Sequence, residues 1–213
     1  MKGYQKIGGY AALLEGVLFI IILAIFFLLL PALGLTDIRD LSNPTVMLPI
    51  ISEWPIVSVV GLIDVPFASL LLLIVLAVNE KLMIQAPRVA RVSKILGIFS
   101  PILVLIVGII RFIGILVISD LFRQGLPGVD AGFITIYIVE TGFDLSAMVV
   151  MGIWVLTVNW TALKFGGFPK RMAYTGLVVG VMHIFIIIPF LVVLADSIWF
   201  SWLGIVLLKD IKN

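Results

Sequence analysis

The chain has 213 residues, of which 62% are hydrophobic and only 12% are charged, and its mean hydropathy is +1.30. Because soluble domains contain apolar and polar residues in nearly equal amounts, this composition indicates an integral membrane protein. The net charge of +2 is too small, and its basic residues too scattered, to indicate a nucleic-acid partner, and the absence of cysteine excludes disulfides, thiolate metal sites and a cysteine nucleophile.

Apolar stretches follow one another along the whole chain. Because a bilayer core about 30 Å thick takes roughly 20 apolar residues per helix, a chain of this length has room for about six spans and for no separate soluble domain. We therefore expect one all-α domain, residues 1–213, that forms a polytopic membrane helical bundle. The predicted spans are Ile7–Pro31, Pro55–Val78, Ile95–Ser119, Phe133–Leu163, Met172–Phe190 and Leu191–Leu208. The last two form one apolar block, in which we expect a turn between Pro189 and Ser197.

Lysine and arginine predict the orientation of these spans, since the cytoplasmic loops of membrane proteins carry the excess of positive charge. One side of the predicted bundle holds only Arg39 and Arg123. The basic residues predicted on the other side are Lys2, Lys6, Lys81, Arg88, Arg91, Lys94, Lys164, Lys170, Arg171, Lys209 and Lys212. We therefore expect a multi-pass protein of the cell membrane with cytoplasmic N- and C-termini, which requires an even number of spans.

Four charged residues fall inside the second, third and fourth spans, where an ionised side chain costs roughly 2.5–3.5 kcal/mol and needs a partner or a wet cavity. Counted at about 1.5 Å per residue from the outer ends of the helices, Asp64, Arg111 and Glu140 share a level in the outer half of the bilayer. Asp144 lies one turn deeper than Glu140. Because one guanidinium has five donors, the sequence predicts a buried polar cluster of these four residues.

Small residues at helical spacing predict which faces of the spans are packed against protein, because they let neighbouring helices approach closely. Those three or four positions from Asp64 and Arg111 are Gly61, Ala68, Gly108 and Gly114. In the fifth span Gly176 and Gly180 share a stripe with His183, which should turn toward a neighbouring helix. Glu15, in the inner half of the first span, has no obvious partner, and we take His183 and Glu15 as secondary candidate residues.

The predicted cluster contains more acids than bases. Asp64, Glu140 and Asp144 face the single Arg111, so full ionisation would leave a charge of about −2 in a low dielectric. At least one carboxyl should therefore hold a proton, or water or a cation must be present. Such a surplus acid is typical of proton relays and ion pathways, but a static network that locks helices can also contain one, and both interpretations stay open.

Other sites are predicted to be absent. The single histidine excludes a bis-histidine haem and a multi-histidine zinc site, and no lysine lies deep in a span. Neither a G-x-S-x-G motif nor a phosphate-binding glycine loop occurs, so a Ser146–His183 dyad is the only hydrolase arrangement that the sequence offers. We expect no catalytic residue, no metal and no cofactor.

Several short motifs carry a resemblance to a known family. They are Gly8-Gly9, "GLIDVPFASLLLLIVLAV", "GIIRFIGIL", "FGGFPKRMAYTGLVVGV" and "WLGIVLL". With these the chain resembles a bacterial and archaeal family of six-helix integral membrane proteins catalogued as a domain of unknown function. The family often has a glutamate soon after the arginine of the third span, where this chain has Gly114. The resemblance implies a fold and a membrane location, and no activity.

Two functions are consistent with these patterns. The first is a small ligand-binding or proton-coupled transport-type protein that uses the polar cluster, with an unknown small-molecule ligand. The alternative is a non-catalytic accessory or scaffold subunit whose buried charges lock helix packing. The expected partners are the lipid bilayer and either a second copy of the chain or another subunit of a membrane complex.

Overall fold

The computed structural model describes residues 2–54, 60–185 and 189–209, and within these ranges it is all-helical, without strands. The α-helices are α1 (Lys2–Ala24), α2 (Leu30–Ala32), α3 (Pro44–Glu53), α4 (Val60–Gln85), α5 (Pro87–Arg123), α6 (Val129–Phe165), α7 (Lys170–Phe185) and α8 (Pro189–Lys209). The predicted all-α class is confirmed.

Helices long and apolar enough to cross a membrane occur in five places within the described residues: Gly3–Ala32, Gly61–Gln85, Pro87–Arg123, Val129–Phe165 and Phe190–Lys209. The first of these joins α1 to α2 through a π-helical turn. Helix α7 has 16 residues, about 24 Å of helix, which is less than the roughly 20 residues that a full span needs. The membrane character is confirmed, and the sixth span stays a prediction.

The helix ends follow from local chemistry. Pro87 begins α5, because proline has no N–H to lose at the first helical position, and the helix then runs through Arg88, Arg91 and Lys94, which are good helix formers. Helix α6 stops before Gly166, whose φ of 87° is a left-handed conformation that favours glycine. The long helices therefore extend beyond the apolar stretches that hydropathy marks.

The turn predicted between Pro189 and Ser197 is wrong, because these residues belong to α8. Proline is well suited to begin a helix, so Pro189 opens α8 instead of forming part of a turn. His183 and Asp196 are 13 residues apart, about 20 Å along a straight helix, yet their side chains are 2.9 Å apart. Helices α7 and α8 are therefore two separate helices that lie beside each other.

The chain divides into two compact units. Unit one contains Met1–Leu23, Phe67–Ile102 and Ser146–Asn213. Its core is built on large aromatic side chains: the rings of Trp154 and Trp199 meet edge to face with centroids 6.2 Å apart, and Trp199 meets Phe200 in the same way at 4.9 Å.

Unit two contains Ala24–Pro66 and Leu103–Leu145, with its own apolar core of Leu35, Met47, Leu48, Ile51, Ile118, Val129 and Phe133. Helix α3 belongs to this core and begins at an Asn43 side chain that accepts a hydrogen bond from the Thr45 amide at 3.1 Å. The prediction that residues 1–213 form a single domain stays a prediction.

A tight charged turn precedes α3. The Asp37 carboxylate accepts hydrogen bonds from the Arg39 amide at 2.9 Å and from the Arg39 guanidinium, whose Nη2 lies 2.6 Å from Oδ2. The Asp37 amide in turn donates to the Asp40 carboxylate at 3.1 Å. The Arg39 hydrogen bonds lower the pKa of Asp37, so the bonded, ionised form of this turn persists from neutral pH down to below the usual aspartate range and is lost as pH falls further.

Asp37→Ala should therefore loosen this turn, whereas Asp37→Asn should loosen it much less, since asparagine keeps an oxygen that caps the Arg39 amide. Hydrogen–deuterium exchange of residues 38–42 would measure the difference, with faster exchange expected in the alanine variant. If exchange became equally fast in both variants, the capping role would be contradicted, and the Asp37–Arg39 charge pair would be what stabilises the turn.

Candidate functional site

Helices α4 and α5 touch backbone to backbone within unit two. A methyl group on Gly108 would lie 2.6 Å from the Asp64 Cβ and 2.8 Å from the Gly61 carbonyl oxygen. One on Gly61 would lie 2.7 Å from the Phe112 amide nitrogen. All three distances are shorter than a Cβ can accept, so only glycine permits this crossing. The close approach brings Asp64 of α4 alongside the face of α5 that carries Arg111.

The structure brings Arg111 together with two of the predicted acids. Its Nη1 donates to the Asp64 Oδ2 at 2.8 Å, and its Nε donates to the Glu140 Oε1 at 2.7 Å. Its Nη2 lies 2.6 Å from the same Glu140 oxygen. One guanidinium therefore ties together α4, α5 and α6 within unit two. The side chains of Arg111, Asp64 and Glu140 are 23%, 19% and 18% exposed, so the cluster is not sealed.

Asp144 is the fourth predicted member and is placed differently. It lies one helical turn from Glu140 on α6, and in the part of the chain that the structure describes it forms neither a hydrogen bond nor a salt bridge with Arg111. The charge of Arg111 nevertheless acts on Asp144, and the charge of Asp144 acts on Asp64. The cluster thus has two acids in direct contact with the guanidinium and a third that interacts with it only through its field.

A second group of buried polar side chains lies in unit one and contains both secondary candidates. His183 of α7 lies with its Nε2 2.9 Å from the Asp196 Oδ1 of α8, and these side chains are only 7% and 2% exposed. Helix α6 packs tightly beside them: a methyl group on Gly152 would lie 2.8 Å from both the Gly180 carbonyl oxygen and the His183 Cβ. His183 therefore faces neighbouring helices, as its glycine stripe predicts.

Glu15 belongs to the same unit and is fully buried. Helix α1 meets α8 through small residues: the Ser197 hydroxyl donates to the Gly16 carbonyl at 2.9 Å, and a methyl group on Gly204 would lie 2.7 Å from the Gly9 carbonyl oxygen. Among the described residues neither Glu15 carboxyl oxygen has a hydrogen-bond partner. The charge of Asp196 acts on Glu15, which makes Asp196 its electrostatic neighbour.

Sequence reasoning missed Asp196. Asp196 falls within the predicted sixth span, Leu191–Leu208, but the turn expected between Pro189 and Ser197 puts it at the very end of that span, where an aspartate needs no partner. The small residues Ser197, Ser201 and Gly204 recur at helical spacing and mark a packed helix face. That spacing is the signal that could have placed Asp196 inside a span.

Within the residues that the structure describes, no group of three or more His, Asp or Glu side chains is arranged to hold a metal ion. No family model matches the chain, and neither the curated proteins nor the solved structures give a match. The two polar clusters are therefore the features of this chain that bear on its function.

Proposed function

We infer that this chain is a proton-coupled or small-ligand-binding membrane protein whose working site is the cluster of Asp64, Arg111, Glu140 and Asp144. The observation that carries this proposal is the mismatch between acids and bases: Arg111 binds Asp64 and Glu140 directly, and Asp144 lies nearby without a hydrogen bond or salt bridge to it within the described ranges. A third acid beside a guanidinium that two carboxylates already occupy is a site for a proton or a small cation.

The charges select the ligand class. With all four groups ionised the cluster carries about −2, and a bound proton or monovalent cation reduces this to about −1, so cations bind favourably and anions are repelled. The side chains of Arg111, Asp64 and Glu140 are about one-fifth exposed, so protein does not enclose them completely, and the proposal requires that water reach them from this open side. A cationic solute that competes with the proton for the same carboxylates would be coupled to it by simple charge balance.

The topology that accompanies this proposal has six spans, with both termini in the cytoplasm and the chain in the cell membrane. The concentration of lysine and arginine at the two ends and in two loops supports it. A sixth span requires that α7 cross the membrane in addition to α8. The same proposal includes this topology and the resemblance to the six-helix family of unknown function. It also includes a partner, either a second copy of the chain or another subunit of a membrane complex.

Proton binding at this cluster can be measured by difference infrared spectroscopy of the purified protein over about pH 5 to 8. We expect a band from a protonated carboxyl that disappears with rising pH, and we expect it to be lost or displaced in Asp144→Asn and in Glu140→Gln. Asp120→Asn is the matched control, because this exposed acid on α5 pairs with Gln124 and Arg123 and lies outside the cluster. A spectrum that neither variant changes would refute the proposal.

A scaffold role is the second candidate, and the backbone contact between Gly61 and Gly108 favours it. Three helices joined by one guanidinium at a glycine crossing form the kind of rigid junction that fixes helix register. In that case Asp144→Asn should leave both stability and the infrared spectrum unchanged. Purification of the native protein with a stoichiometric partner would support this candidate over the first.

A further inference from the structure

The core of unit one contains an arrangement that the Arg111 cluster does not explain. We propose that Glu15, His183 and Asp196 form a second, independent proton-binding site, in which three titratable groups share two exchangeable protons. This site shares no residue with the Arg111 cluster, and the proposal does not depend on whether that cluster exchanges protons.

The His183–Asp196 pair is the first part of this site. Its 2.9 Å contact has two arrangements of equal charge, an imidazolium beside a carboxylate or a neutral imidazole beside a carboxylic acid, and moving one proton across the contact converts them. The other ring nitrogen, Nδ1, is buried and meets no partner among the described residues. In both arrangements Nδ1 keeps its own hydrogen, so it is a buried donor without an acceptor in this part of the chain.

Glu15 is the second part of this site. An ionised carboxylate in a core without a hydrogen-bond donor loses its solvation and gains nothing in return, so the protonated form is favoured. Both Glu15 oxygens are in this situation within the described part of the chain, and Asp196 adds a second acid nearby. A proton on Glu15 removes the charge and converts the acceptor into a donor. With that proton and one shared by His183 and Asp196, the three groups together are neutral.

The surroundings of these three side chains are mostly apolar. Helix α1 contributes Glu15, α7 contributes His183 and α8 contributes Asp196, while α4 and α6 face this core with apolar side chains such as Val75 and Trp154. The charges that act on Glu15 and Asp196 come from within the trio. The indole N–H of Trp199, one turn from Asp196, is also buried without a partner among the described residues. Unused donors and acceptors thus occur in the same apolar core as the three titratable groups, where a proton left on a carboxyl avoids a buried charge.

The chain has a single histidine, which makes the test direct. In full-length protein purified through a histidine-free tag, ¹⁵N NMR of the labelled imidazole reports on His183 alone, and infrared spectroscopy reports on protonated carboxyls. We expect a carboxyl band that Glu15→Gln removes, and an imidazole signal that changes with pH in the wild type and is altered by Asp196→Asn. The isosteric Glu15→Gln keeps the packing, and Asp120→Asn is again the control.

The opposite results would overturn the proposal. An unchanged infrared spectrum in Glu15→Gln would show that this carboxyl carries no proton, and an imidazole signal that ignores both pH and Asp196→Asn would show a static contact. A response of the imidazole to added sodium at constant pH would make this a cation site instead. Repeating the measurement in the Asp144→Asn background separates the two sites, since the Glu15 band should persist there even if the Arg111 cluster has no function.

Discussion

Arg111→Leu is expected to abolish the accumulation of folded protein. The substitution removes the one ion-pair partner that the Asp64 and Glu140 carboxylates have among the described residues, and it leaves Asp144 beside them. Removing one partner of a buried ion pair costs about 3–5 kcal/mol, a large part of the roughly 5–15 kcal/mol that holds a typical protein folded. Size-exclusion profiles and thermal unfolding of the detergent-purified variant measure the loss.

Two further variants separate charge from geometry. Arg111→Lys keeps the positive charge but loses the fork that reaches α4 and α6 at once, so its stability should be intermediate. The triple variant Asp64→Leu/Arg111→Leu/Glu140→Leu removes the charges together and should recover most of the stability, because apolar replacement of an ion pair is often neutral. A stable Arg111→Leu single variant would contradict this account and show that the ion pairs do not hold the helices together.

Helical character and the contacts of Arg111 were accessible from the sequence. Hydropathy identifies long apolar helices because the bilayer imposes their length, and counting residues from the outer ends of those helices put Asp64, Arg111 and Glu140 at one level. The structure brings these three side chains into contact. Counting residues along the helices does not specify how far each side chain reaches. Asp144 is therefore at the expected level but outside hydrogen-bonding distance of Arg111 among the described atoms.

Other features could not be predicted from hydropathy, for physical reasons. A break between two apolar helices needs no polar residue, and proline begins helices as readily as it ends them, so the position of the break near Pro189 was misjudged. That error hid Asp196, and with it the partner of His183. The fully buried Glu15 was recognised as unpaired, but its proximity to Asp196 depends on how α1 packs on α8, which only tertiary structure determines.

Gly108→Ala is expected to be nearly as damaging as the loss of Arg111, although it adds a single methyl group. The new Cβ would lie 2.6 Å from the Asp64 Cβ and 2.8 Å from a backbone oxygen of Gly61, so α4 and α5 must move apart. Overpacking of this kind costs about 1–3 kcal/mol, and the movement also lengthens the 2.8 Å contact between Asp64 and Arg111. The variant should therefore lose both thermal stability and the infrared signal of the cluster.

Gly142→Ala on α6 is the matched control for this prediction, because a Cβ there meets no atom of the described residues within 4 Å. In an exposed helix, replacing glycine with alanine stabilises by about 0.5–1 kcal/mol, so this variant should unfold at the wild-type temperature or slightly above it. If Gly108→Ala behaved like Gly142→Ala, the backbone crossing would be tolerant and the cluster would not depend on it. A selective loss at Gly108 would instead show that the position of Arg111 depends on two glycines that carry no charge themselves.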